Sequence, residues 1–454
     1  MHERTQQAIA RLLFVLCCAA PSCLTLGWIT ITKSVWYQSR ATQRLEATIQ
    51  NSLGLIVEFE KHLHPAPDRW ILSNLTFRHP ETLAKVGRVR EVHWVSTPEE
   101  SRMLMEQPEI EAGHLEMFWE CIHDEILRRP KQLKHPVSVA ANDLTIHSGN
   151  QSFTFSDLDA SIVNSENAST LSAQLQLADG FNQPPIMLEV LRDRRIFQDH
   201  QSQALTTTFT LNTNGTTLPC SSLANFLPLF ERIGHSASFS GYLQWQLSLD
   251  QWQLNLRGAR FESIELDRLF ESQSHRLSGT ATVQLDRCFI SPHKKQSEIS
   301  GSLLAIQGLI GKNLLQQANE HLKIKLFQTQ SWDQFSGDIP YDTLSIGFDI
   351  NGTQMQLEGM CRNQAGYEGY PNGTAVILNG YPLAQTMNES IESLRLLTAI
   401  APNHSVPVPL SQQTHWLTNL LIPPSRPSSE TLTTPPRIRS ARLWQGGPAV
   451  RQPQ

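Results

Sequence analysis

Apolar and polar residues alternate strictly, in segment after segment, from about residue 54 to residue 380 of this chain. Successive side chains of a strand point to opposite faces, so a period of two marks a strand with one dry face and one wet face. In TLSAQLQLAD, Leu171, Ala173, Leu175 and Leu177 share a face. GYLQWQLSLD groups Leu243, Trp245, Leu247 and Leu249, and QWQLNLRG groups Trp252, Leu254 and Leu256. ATVQLDR adds Ala281, Val283 and Leu285, and the run from Asp342 places Leu344, Ile346, Phe348 and Ile350 together. Asn351-Gly352 between this run and TQMQLEG predicts a two-residue hairpin turn, and Asn214-Gly215 sits similarly after TTTFTLNT. One wet face per strand is the antiparallel pattern. Strands covered on both faces by helices would read as solid Val/Ile/Leu runs, and their absence argues against a doubly wound fold.

Helices are expected in few places. Trp36 to Ser52 reads as one, and Leu115, Phe118, Ile122 and Ile126 recur at helical spacing within Glu111 to Arg128. Lys312 to Ile324 carries Leu314, Leu315, Ala318 and Leu322 on one stripe. Thr386 to Ile400 opens on Thr386-x-x-Glu389, a capping-box pattern. From Val406 the character changes: nine of the 26 prolines fall there among Ser, Thr and Arg, which predicts a disordered tail.

At the other end, Leu12 to Thr32 is 21 residues without a charge, enough at about 1.5 Å per residue to cross the roughly 30 Å apolar layer of a bilayer. Pro21 would kink such a helix, and Trp28 and Trp36 suit its interfacial end. The run exceeds a signal-peptide core and no small-x-small site follows it, so a retained single-pass anchor is expected, its N-terminus cytoplasmic. Arg4 and Arg11 before it and Lys33, Arg40 and Arg44 after it do not decide the orientation. The organisation expected is 1–33 stub and anchor, 34–134 N-terminal helix and strands with a helical insert, 135–234 middle strands, 235–405 C-terminal strands with helices, and 406–454 tail.

Chemistry is hard to find. Net charge is −5 and no Lys/Arg block occurs, which removes the electrostatic footprint of a nucleic-acid binder. Cys121, Cys220, Cys288 and Cys361 are isolated, so zinc spacing is absent; an oxidising compartment would allow disulfides of unspecified pairing. Gly234-His235-Ser236-Ala237-Ser238 lacks the last glycine of a nucleophile elbow, and Gly308 to Asn313 lacks phosphate-loop spacing. His62-x-His64 and His123-Asp124-Glu125 have no partner motif and read as surface residues. Neither an enzyme nor a cofactor site is expected.

Two stretches resemble a known family. LIVEFEKHL, WILSNLTFRHP and LAKVGRVREVHW, within residues 41 to 95, resemble the opening of the AsmA family of bacterial envelope proteins. FSGYLQWQLSLDQWQLNLRGARF, HRLSGTATVQL, ISGSLLAIQGLIGKNLLQQA and YDTLSIGFDINGTQMQLEG, within 239 to 359, look like that family's C-terminal module. The middle leaves room for only a short run of strands, unlike the long members. The resemblance implies an elongated, U-shaped antiparallel sheet with an apolar trough, a β-taco, with the body in the periplasm behind an inner-membrane anchor. It implies a role in accommodating or moving lipid, or in outer-membrane biogenesis.

The physics runs parallel to this implication. A half-apolar sheet must cover its dry face with helices, a second sheet or a ligand, and few helices are available. A groove without charges would take acyl chains, at about 0.8 kcal/mol per buried methylene, and Leu247, Trp252, Phe348 and Ile350 are its candidate lining residues. The competing architecture is a closed sandwich that binds nothing. The competing function is an envelope scaffold that holds protein partners through sheet edges or the tail.

Overall fold

The computed structural model describes residues 13–400, apart from 33, 130–132, 134, 149–150, 178–183, 195–204, 224–232, 235, 249–251, 271–274, 292–295 and 328–336. The proposed tail at 406–454 and the stub at 1–12 lie outside the described residues. One sheet of 23 strands runs through the rest. Its first part is β1 (Ile56–Glu58), β2 (Lys61–Ala66), β3 (Arg69–Arg78), β4 (Lys85–Ser96) and β5 (Ser101–Glu111). The middle part is β6 (Val137–Ser148), β7 (Gln151–Asn164), β8 (Ala168–Leu177), β9 (Ile186–Asp193), β10 (Thr206–Asn212) and β11 (Leu218–Pro219). Then follow β12 (Ser238–Ser240), β13 (Tyr242–Leu247), β14 (Trp252–Asn255), β15 (Ala259–Glu265), β16 (Thr280–Ser291) and β17 (Gln296–Gly311). The chain ends in β18 (Ile324–Leu326), β19 (Asp338–Asn351), β20 (Gln354–Gly359), β21 (Thr374–Leu378), β22 (Tyr381–Thr386) and β23 (Ser390–Glu392).

Each strand from β3 to β10 hydrogen-bonds to the next. The ladder then crosses from β10 to β13, β14, β16, β17 and β19, so the first, middle and last groups of strands share one sheet. The sheet is not wholly antiparallel, as the sequence suggested: β5 and β6 run parallel. A parallel return needs a crossover of a dozen residues or more. Residues 112–136 supply it, with a 3-10 turn at Ala112–His114, a helix at Leu115–Cys121 and a π-helical turn at Ile122–Leu127.

Register lines up an apolar row across the ladder. Trp70, Trp94, Met103, Val139, Ala160, Ala173, Leu188, Leu211 and Leu243 are successive partners on neighbouring strands. The same row resumes as Cys288, Ile299, Ile350, Met355 and Ile391. Directly opposed residues share a face, so this row is a line of side chains on one surface of the sheet. The reverse surface carries polar contacts such as Ser161 to Ser172 (2.7 Å) and Arg287 to Asp349 (3.1 Å).

In β3 to β7 the alternation slips once per strand without changing the buried face. Leu72 and Leu75, Val89 and Val92, and Ala141 and Leu144 are buried pairs three residues apart. Asn74, Gln107 and Asp157 adopt φ of 55°, 50° and 54°, and they interrupt β3, β5 and β7 at nearly aligned positions. Asn and Asp tolerate this left-handed region better than most residues. Each interruption moves the next side chain back to the dry face.

Helices cover parts of the dry face. The first described helix, α1 (Ala20–Thr32), follows a π-helical turn at Val15–Ala19, in which Ala20 N–H bonds to Val15 O. Pro21 has no N–H to give, and the wider turn lies directly before its ring. Leu13, Phe14, Val15, Leu24 and Leu26 are exposed. Among the described residues, no helix is long and apolar enough to cross a membrane. Next, α2 (Val35–Leu53) begins where Ser34 Oγ accepts from Tyr37 N and stops at Gly54, φ 72°. Its Leu45 and Ile49 pack on Leu72, Leu75, Val89 and Val92. The crossover helix, α3 (Leu115–Cys121), and its π turn lay Trp119 and Leu127 over Leu171, Val190 and Phe209. A short α4 (Leu266–Phe270) is followed by α5 (Lys312–Leu322), which buries Leu314, Leu315 and Ala318 as its stripe foretold.

Three local readings need correction. Asn214-Gly215 makes a turn, φ 50° and 89°, but no hairpin: β10 and β11 on either side both pair with the strand 238–247. At Asn351-Gly352 the hairpin exists, shifted by one residue. Asn351 pairs with Gln354, so the loop is Gly352-Thr353, with Gly352 at φ 58°. Glycine at the first loop position is the type II′ arrangement. Thr386 caps no helix: it ends β22, its hydroxyl accepts from Gly359 N at 2.8 Å, and only α6 (Leu394–Ile400) is helical. A strand ladder there satisfies the backbone that a capping box would have served.

Candidate functional site

The sequence singled out Leu247, Trp252, Phe348 and Ile350 as lining residues, and all four lie on the dry face. Leu247 and Trp252 are directly opposed across β13 and β14. Phe348 lies between Gly301 of β17 and Leu357 of β20. Ile350 follows two residues on, between Ile299 and Met355. Three strand spacings separate β14 from β19, roughly 14 Å at about 4.8 Å each, so the four form two pairs and not one cluster.

Their exposure differs. Ile350 is 6% exposed and belongs to the packed core. Leu247, Trp252 and Phe348 are half-buried. So are their neighbours on the same face, Trp245, Leu254, Phe261, Val283, Leu303 and Ile346. Together these residues form a half-buried apolar stretch over β13 to β19, beside fully buried residues such as Leu243, Ala305 and Leu344.

Toward β9 the face changes character along one row. Ser169, Arg192, Thr207, Leu247 and Trp252 are successive partners, so an arginine stands in line with the two candidate residues. Arg192 Nη1 donates to Thr207 Oγ1 at 2.8 Å and lies 3.3 Å from Nε2 of His123, a residue of the π turn that is buried and not on the surface as the sequence suggested, because the turn packs it onto the sheet. Two residues on, Arg194 Nη2 donates to Leu127 O and to Ser169 Oγ, each at 2.5 Å. Its Nη1 is buried and donates to no partner among the described residues. Burial pushes the pKa of this guanidinium down. The sequence reading missed both arginines. Their signal was present in LEVLRDR, where the alternation that puts Leu188 and Val190 on the dry face also puts Arg192 and Arg194 there.

The motifs set aside earlier fall elsewhere. His64 stacks on Trp70 at 3.9 Å, and His62 Nδ1 is 3.1 Å from Thr42 Oγ1, both at the β2 edge. His235 lies outside the described residues, and Ser236 hydrogen-bonds Glu265 at 3.0 Å. On the wet face, Glu91, His93 and Glu106 bring donor atoms within 4.8 Å of one another. Glu91 and Glu106 are directly opposed; Arg90, 2.7 Å from Glu106, offsets their repulsion, and His93 Nε2 lies 2.8 Å from Glu91. Cys121, Cys220, Cys288 and Cys361 are buried and form no disulfide among the described residues. Burial pushes the pKa of Cys220 and Cys288 up to about 12 and that of Cys361 up to about 11.

Comparison with protein-family models, with curated proteins and with solved structures finds no match.

Proposed function

We propose that this chain is an envelope protein that accommodates or transfers lipid along the dry face of its sheet. The observation that carries the reading is the half-buried apolar stretch over β13 to β19, continuous with an apolar row that runs on through β10 to β3. A sheet this extensive has six described α-helices to cover it, most of them short. A closed sandwich would bury Trp245, Trp252 and Phe348 as fully as Ile350. Acyl chains laid over them would add about 0.8 kcal/mol per buried methylene.

In this reading the segment Leu12 to Thr32 anchors the chain in a bacterial inner membrane, with the body in the periplasm. Its exposed Leu13, Phe14, Val15, Leu24 and Leu26 form an apolar surface that favours lipid over water. The AsmA-like stretches at 41–95 and 239–359 point the same way. Native mass spectrometry of the detergent-extracted full chain tests the proposal. Co-purified phospholipid is the expected result; a lipid-free chain that still binds a protein partner through its edges would replace it with the scaffold reading.

A further inference from the structure

A cation buried without an anion is expensive, and arginine cannot shed its charge to escape the cost. Arg194 is half-buried, and among the described residues its Nη2 has only two neutral oxygen partners, its shielded Nη1 has none, and no carboxylate pairs with it. It shares the dry face with Arg192, two residues away, or about 6.8 Å along the strand. Arg192 is in register with Leu247 and Trp252 through Thr207, and Arg194 follows just past the end of β9. An apolar surface bounded by fixed positive charge is complementary to an amphiphile with an anionic head.

We infer that Arg192 and Arg194 form a headgroup site for a phosphate-bearing lipid whose acyl chains lie on the dry face toward Leu247 and Trp252. This rests on the lipid reading above and names the class of lipid. Phosphate is favoured over carboxylate because two guanidinium forks can each engage a different oxygen pair of a tetrahedral group. The open stretch from β13 to β19 also spans several strand spacings, wider than a single acyl chain. Arg194 at present holds the end of the crossover through Leu127 O, so an incoming phosphate exchanges a neutral acceptor for a charged one.

The test uses the purified full chain in detergent with three fluorescent probes: pyrene-labelled phosphatidylglycerol, a pyrene-labelled fatty acid and pyrene-labelled diacylglycerol. The expected result is about tenfold tighter binding of phosphatidylglycerol than of diacylglycerol, a margin that one charge-assisted pair supplies. Arg194→Gln should erase that margin and leave diacylglycerol binding unchanged, while Arg194→Lys retains part of it and guards against a folding defect. Equal binding of all three probes by the wild type overturns the headgroup site but leaves the groove standing. A preference confined to the fatty acid overturns the phosphate assignment. Binding of none of the probes overturns the groove itself.

Discussion

Gly308 sits in β17 opposite Tyr341 of β19, at a point where a methyl group has nowhere to go. A Cβ there would lie 2.5 Å from the Tyr341 hydroxyl oxygen and 2.7 Å from the Ser278 carbonyl carbon, and closer still to the Ser278 oxygen. These atoms are tied together already. Tyr341 Oη donates to Ser278 O at 2.6 Å, and Leu309 N donates to Ser278 Oγ at 3.0 Å. Tyr341 is 2% exposed, so a displaced hydroxyl cannot turn to water. Overpacking costs about 1–3 kcal/mol, and an orphaned buried hydroxyl or carbonyl a further ~1–3 kcal/mol. Gly308→Ala should therefore destabilise this part of the sheet by about 3–5 kcal/mol, a urea midpoint shift of roughly 1 M or more. Hydrogen exchange of residues 278–311, followed through urea unfolding of the full chain, reads it directly. Gly369→Ala is the control, because a Cβ there meets nothing within 4 Å. Gly308→Ala with Tyr341→Phe should recover part of the loss by removing one of the two obstacles. An unchanged midpoint for Gly308→Ala would refute the packing argument.

Leu247→Asp should abolish lipid co-purification, since a carboxylate on the dry face costs several kcal/mol against acyl chains. Gln246→Asp, on the wet face with Thr208 and Gln253, should leave lipid in place, and equal loss in both variants would sink the two-faced account. Gly352→Val should lower the melting temperature, with a cost of about 1–3 kcal/mol for positive φ at a branched residue, whereas Asn351→Val should be nearly neutral because Asn351 is a ladder residue. His275 is 7% exposed with both ring nitrogens unpartnered, and burial lowers its pKa. The unfolded chain then binds a proton first, so stability is full above the unfolded value near 6.5 and falls as pH drops through the lower folded value. His275→Gln should flatten that acid-side slope in a pH series of urea midpoints, and an unaltered slope would exclude His275 as its source. Finally, Cys220, Cys288 and Cys361 should resist iodoacetamide in the native chain and react once urea exposes them, as mass spectrometry of the alkylated peptides can show.

The strands were legible because alternation is dictated by the geometry of the pleat, and it placed Leu171, Leu243 and Leu344 on the dry face where the structure buries them. Period reading fails where the phase slips. Leu72 and Leu75 look out of step in sequence, yet Asn74 at φ 55° returns Leu75 to the buried side. Which polar residue will adopt that conformation depends on its neighbours across the ladder, and a single strand does not contain that information. The turn at Asn214-Gly215 was read as a reversal because the local chemistry of a turn is the same whether the chain reverses or returns to the same partner. The parallel joint was equally hidden, since Ser101 to Glu111 and Val137 to Ser148 carry the same half-apolar pattern as their antiparallel neighbours. At the groove, the apolar side chains were found by pattern. Arg192 and Arg194 were passed over because charged residues were assumed to face water.

The parallel β5–β6 joint also bears on how the chain acquires its structure in time. On either side of it, pairs such as β3 with β4 and β6 with β7 join segments that are adjacent in sequence, and such pairs close over short loops at little entropic cost. The joint itself closes only after residues 112–136 have been gathered into the crossover, with Trp119 and Leu127 seated on strands that must already be in place. Pairing of that kind is slow relative to hairpin closure. Two meanders should therefore zip independently, each with a bare edge, and associate in a later and slower step. In the interval β5 and β6 offer unpaired backbone to any passing strand. Dilution or a chaperone would thus protect the refolding chain most between those two phases.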